Sequence, residues 1–159
     1  MQQSAFPTTF VVLFFNHAHL FPREYNPAGT LDAFLSLMEA TEMEGAVCFA
    51  PFSYQFHDIF PTENHNAWLA RIIANRWNLI GYGTLDPSKP PADQVKQIAE
   101  LGFRGIKLHP PAQKFAIFGD WAREAYAAME EHGLIADFHL GIHWHRLSEY
   151  DPLDCDEIA

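Results

Sequence analysis

Apolar positions along the chain follow two alternating patterns. Phe10–Phe15 (FVVLFF), Ala46–Ala50 (AVCFA), Leu79–Tyr82 (LIGY), Gly105–Leu108 (GIKL) and Ile135–Phe138 (IADF) are short and rich in β-branched or aromatic residues. Such runs predict five buried strands. Between them apolar residues recur at helical spacing. Thr30 is placed to cap a first helix with Leu31, Phe34, Leu35 and Met38 on one face, and Glu39, Glu42 and Glu44 toward the polar side or the exit. A second helix is expected over Asn64–Arg76, with Trp68, Leu69, Ile72 and Ile73 as its stripe, and a third from about Ala92 to Leu101 through Val95 and Ile98. Asp120 could cap a fourth, carrying Trp121, Tyr126 and Met129 and closing at Gly133.

Strand and helix thus alternate with a repeat of roughly 25 to 35 residues, the length of a right-handed crossover unit in a parallel sheet. The class is α/β. Polar residues decide between a doubly wound sheet and a barrel, because a barrel gathers its chemistry at the C-terminal ends of the strands. His17 and His19 follow strand one, Asp86 follows strand three, Lys107 and His109 end strand four, and His139 ends strand five. No G-x-G-x-x-G follows strand one, which removes the main support for a dinucleotide fold. The prediction is a TIM (β/α)8-type barrel. Eight units need about 250 residues, and the sequence reaches Ala159 in what reads as a helix opened by Asp154 or Asp156. Residues 1–159 are therefore expected to be the N-terminal part of a single barrel domain, about five units long, whose first and last strands keep an open edge.

Charge narrows the partners. Twenty acidic residues against ten basic ones give a net charge of -10, which repels nucleic acid and anionic membranes. A small-molecule substrate or another protein fits, and a homo-oligomer stays open. Cys48 and Cys155 lie far apart without the spacing of a disulfide framework or a thiolate metal site, so a reducing, cytoplasmic setting is the default. The FVVLFF run lacks a basic leader and a cleavage site, and no apolar stretch is long enough to span a bilayer.

Residues two apart on a strand share a side, so His17 and His19 both face the barrel mouth while Ala18 faces the helices. Two imidazoles on one span suit a single divalent ion, zinc first and manganese or iron after it, with a third ligand from elsewhere. Surface or satisfied core histidines are the plainer alternative. Lys107 and His109 repeat the spacing. A lysine inside a barrel is paired, carbamylated or deprotonated, and His109 either meets substrate or bonds a loop carbonyl. His139 is a third metal ligand or a capping histidine. His143 and His145 contact an anionic substrate or decorate a loop, and Arg146 forks a carboxylate or pairs with Glu149 or Asp151. His57, His65 and His132 read as ordinary surface or loop histidines.

These motifs resemble the amidohydrolase-related metal-dependent hydrolases, a group that also includes aminocarboxymuconate-semialdehyde decarboxylase. His17-Ala18-His19-Leu20-Phe21-Pro22 looks like the opening signature. Gly102-Phe103-Arg104-Gly105-Ile106-Lys107-Leu108-His109-Pro110 resembles the strand-four segment, and Phe138-His139-x-Gly141 followed by His143-Trp144-His145-Arg146 is similar to the strand-five segment and its loop. The resemblance implies a TIM barrel with a mononuclear metal held by His17, His19 and His139 and completed by an aspartate at the end of strand eight. It also implies a proton-transfer histidine after strand six, and both of those residues would fall beyond Ala159. Asn16 and Leu140 depart from the pattern without removing a ligand. Lys107 invites comparison with the carbamylated lysine that bridges two metals in other amidohydrolases, a branch that differs from this one, and DNase-like relatives match the strand-four and strand-five segments less well. The activity expected is hydrolysis of a small carbonyl- or carboxylate-bearing substrate by metal-activated water. Non-oxidative decarboxylation is the alternative within the family, and an inactive fragment the alternative outside it.

Overall fold

The structure, a computed structural model, describes residues 13–139. Five parallel strands pair strictly in chain order: β1 (Leu13–His19), β2 (Met43–Phe49), β3 (Leu79–Thr84), β4 (Gly105–Leu108) and β5 (Ile135–Phe138). The helices between them are α1 (Leu31–Ala40), α2 (Ser53–His57), α3 (His65–Ile73), α4 (Pro91–Glu100), α5 (Pro110–Gln113) and α6 (Asp120–Glu131). Right-handed crossovers between strands taken in order put the longer connecting helices α1, α3, α4 and α6 on the same face, so the sheet curls into part of a TIM-barrel wall.

The core fills the helix side. Ala46 and Cys48 of β2, Leu79 of β3, and Ile106 and Leu108 of β4 pack with Met38, Leu69, Ile73, Val95, Ile98, Ala122, Ala125 and Met129. Strand alternation leaves the neighbours of these residues on the concave face. Two glycines show how closely that alternation is used. A Cβ on Gly81 would lie 2.4 Å from the Phe103 ring on the helix side, and one on Gly105 would lie 2.4 Å from the Tyr82 ring on the concave side.

β1 contains a feature that decides where its histidines point. Phe15 stands opposite Ala46 and Ala18 opposite Cys48, so β1 advances one residue further than β2 in that interval. Such a bulge reverses the facing of the residues beyond it. Phe15 packs on Phe34 of α1, with ring centroids 5.6 Å apart. His17 and His19, which unbroken alternation would send the same way, turn to the concave face.

The exit of β3 is pinned by amide side chains from three elements. Asn66 of α3 donates to the Thr84 carbonyl and accepts from the Thr84 amide, both at 2.9 Å. Gln94 of α4 accepts from the Asp86 amide at 2.8 Å, and Gln113 of α5 donates to the Leu85 carbonyl at 2.8 Å. Buried backbone groups that leave a sheet need such partners.

Several expectations are corrected. β1 runs through His19 instead of ending at Phe15, because ladder pairing belongs to the backbone and continues past the apolar run. β2 begins at Met43, earlier than expected. α3 stops at Ile73, since Asn75 takes a positive φ of 63° that no helix continues. Asp120 lies inside α6, whose N-cap is Gly119. α2 and α5 are too short to show a period and were not expected. Thr30 does cap α1, accepting from Ala33 N at 3.3 Å, and Gly133 closes α6 with φ 64°.

Candidate metal centre

The concave face carries a compact polar and aromatic cluster. His17 and His19 project from β1, and their Nε2 atoms lie 3.0 Å apart. Phe49 of β2, fully buried, forms a floor beneath them, its ring centroid 4.5 Å from that of His17 and 5.1 Å from that of His19. Tyr82 of β3 stands edge-on to Phe49 at 5.6 Å. Lys107 of β4 comes from the far side. Its Nζ lies 5.3 Å from the Phe49 centroid and bonds Asp137 Oδ1 of β5 at 2.5 Å. The ladder makes this pairing, because Lys107 stands directly opposite Asp137. Lys107 is therefore an ion-paired lysine, the first of the states a buried lysine can adopt.

Burial and the Lys107 ammonium favour the neutral form of both imidazoles. Burial lowers the His17 pKa, Lys107 lowers it further, and Asp137 opposes both. His19 falls to about 4, first through burial, then through His17 and Lys107, with Asp137 acting the other way and His139 adding a small push down. A neutral imidazole is the form that donates a lone pair to a metal.

His139 follows β5 at the same end of the sheet. Its backbone N–H donates to Leu108 O at 2.8 Å, and its ring lies flat on that of His109, with centroids 4.0 Å apart and planes within 2°. His109 is buried and caps α5. Its Nδ1 accepts from Ala112 N at 3.4 Å, and its backbone N–H donates to Gln113 Oε1 at 2.6 Å. His17 and His19 are thus brought nitrogen to nitrogen and His139 to the same mouth. Among the described residues no three His, Cys, Asp or Glu side chains are gathered closely enough to hold an ion. His143, His145 and Arg146 lie outside the described residues.

Of the histidines read as surface or loop groups, His57 and His132 are exposed. His65 corrects that reading: it is buried at the start of α3, where its Nε2 lies 3.1 Å from Thr84 O and burial lowers its pKa. It lines a cleft of about 850 Å³ with Tyr54, His57, Asp86 and Lys89, which includes none of His17, His19 and His139. Burial works to raise the Asp86 pKa, but hydrogen bonds from Ser88 and the Lys89 ammonium bring it below the ordinary value. That carboxylate serves the β3 exit turn and lies in a cleft separate from His17, His19 and His139.

Sequence reasoning missed Asp137, Phe49 and Tyr82. A signal existed for Asp137: it alternates with His139, so a histidine assigned to the inner face brings the aspartate with it.

The amidohydrolase family profile matches residues 17–158. Among solved structures, 5-carboxyvanillate decarboxylase from Sphingomonas paucimobilis superposes with a TM-score of 0.65 at 13% identity, over 81% of this chain and 52% of that one. The Novosphingobium aromaticivorans 5-carboxyvanillate decarboxylase, with bound manganese and 3-methoxy-4-hydroxy-5-nitrobenzoic acid, gives 0.61 at 16% identity, over 81% and 51%. A protein described as a probable 2-pyrone-4,6-dicarboxylic acid hydrolase from Acinetobacter baumannii, with citric acid bound, gives 0.58 at 16% identity, over 81% and 49%. The chain thus spans about half the length of these structures. At such identities the likeness is one of fold. No curated protein sequence matches the chain.

Proposed function

Because the chain belongs to the amidohydrolase family, we propose that residues 1–159 are part of a single barrel domain of a metal-dependent hydrolase, in which His17, His19 and His139 hold one divalent ion. The observation that carries this reading is the approach of the His17 and His19 Nε2 atoms to 3.0 Å on the concave face. At that distance the two imidazoles share a hydrogen bond, and an ion held there would take the place of its proton. The donor chemistry fits as well, since burial and Lys107 favour the neutral form of both rings. Zinc is our first choice, with manganese or iron as substitutes.

Such an ion supplies Lewis acidity, polarising a substrate carbonyl or carboxylate and making water more acidic. The chain's own residues prepare the setting. Phe49 closes the floor and excludes water from beneath the histidines. Asp137 neutralises Lys107, so that no unpaired ammonium stands under an incoming cation. Tyr82 walls the side nearest β3, its phenol kept protonated by burial and by the charge of Asp137, which raise its pKa. His109 lines the mouth beside His139. His143, His145 and Arg146 are proposed to meet the substrate, a small molecule bearing a carbonyl or carboxylate. A cytoplasmic setting remains part of the proposal. Among the described residues no helix is long and apolar enough to cross a membrane.

A second reading, non-oxidative decarboxylation, is favoured by the two 5-carboxyvanillate decarboxylases among the structures of similar fold. Product analysis separates the two. Incubation with amides, lactones and aromatic carboxylates in oxygen-18-labelled water is expected to place the label in the carboxylate that hydrolysis forms. Carbon dioxide release with no oxygen-18 in the organic product would contradict hydrolysis.

A further inference from the structure

His109 and His139 stack with centroids 4.0 Å apart and planes 2° from parallel. A flat stack resists tilting of the ring it covers, and His109 is itself held from several directions. Its Nδ1 accepts the Ala112 N–H, its backbone N–H is bonded to Gln113, and the Phe52 ring stands edge-on to it at 6.1 Å. His109 is 8% exposed. His139 lies just past the end of β5, with its backbone N–H bonded to Leu108 O. The same strand end that holds the His139 backbone therefore also presents a fixed plate to its ring.

We infer that His109 is a positioning residue: its ring face sets the orientation of the His139 imidazole and so governs how tightly the site retains a divalent ion. This rests on the proposal that His139 is a ligand. Its physical content is preorganisation. A ring already held in one plane loses less rotational freedom when it binds, and partners that orient a ligand typically change metal affinity by about 10- to 100-fold.

Two substitutions separate the ring face from the cap. His109→Asn keeps an acceptor near the Nδ1 position for the Ala112 N–H and removes the face. His109→Phe keeps a face and removes the acceptor. Cobalt(II) affinity of the full chain is measured by competition with a chromophoric chelator, alongside thermal unfolding of the metal-free protein and the His17→Ala variant. We expect His109→Asn to weaken cobalt binding about tenfold and His109→Phe to stay within about threefold of the parent. The metal-free melting temperatures follow the opposite order, because the cap matters to the fold. Weaker binding by His109→Phe than by His109→Asn would overturn the inference, leaving a helix cap as the role of His109. Binding unchanged in both variants but lost in His17→Ala would overturn it and leave the metal site standing. No cobalt binding by the parent chain would overturn the metal site itself, and this inference with it.

Discussion

A buried ammonium is tolerated only beside a counter-charge, and the Lys107–Asp137 pair is where the concave face meets that requirement. Lys107 is 2% exposed and the Asp137 side chain 29%. Removing the carboxylate strands a charge away from water, and breaking such a pair costs about 3 kcal/mol or more. Asp137→Ala should therefore lower the urea midpoint substantially without changing the slope, while Lys107→Met combined with Asp137→Leu should recover most of the loss. Equal midpoints for Asp137→Ala and the parent would show that the ammonium reaches water. The partner was only half legible. The chemistry of an interior lysine demands one, but which residue it is depends on β4 and β5 lying in a register that sets position 107 opposite 137. Nothing within either strand alone specifies that register.

At the scale of elements, the strand and helix alternation was legible because each segment carries its own period, and the limits of β4 and β5 agree with the short apolar runs. Features that arise between segments were not. The bulge in β1 is defined by comparison with β2, yet it decides that His17 and His19 face inward while Phe15 faces α1. The motif led to the expectation that both histidines face the barrel mouth; the bulge in the pairing is what turns them there. Gly105 is a related case. It is bare because the Tyr82 ring lies over it, and an added Cβ would also stand 2.7 Å from Ile135 O, a backbone atom that cannot rotate away. Gly105→Ala is expected to cost about 1–3 kcal/mol, the usual penalty for overpacking, read as a lower melting temperature. An unchanged value would mean that the β4–β5 ladder yields more easily than its geometry indicates.

At the scale of the molecule, the strand order and the core on one face produce a barrel wall whose other face is free for chemistry. The amidohydrolase profile and the superposed structures agree with that architecture. The placement of the candidate ligands was legible as residue types and strand-end positions, since His17, His19 and His139 lie at one end of one sheet. The spacing among them was not legible, because it depends on the bulge, on the Phe49 floor and on the His109 stack. The central claim is that the first two histidines are metal donors. Metal content of the purified chain, measured by elemental analysis after equilibration with zinc and gel filtration, tests it most directly. The parent chain should retain about one zinc equivalent, and His17→Ala and His19→Ala should each retain far less while keeping the parent's far-ultraviolet circular dichroism. Equal zinc in the parent and both folded variants would contradict the claim.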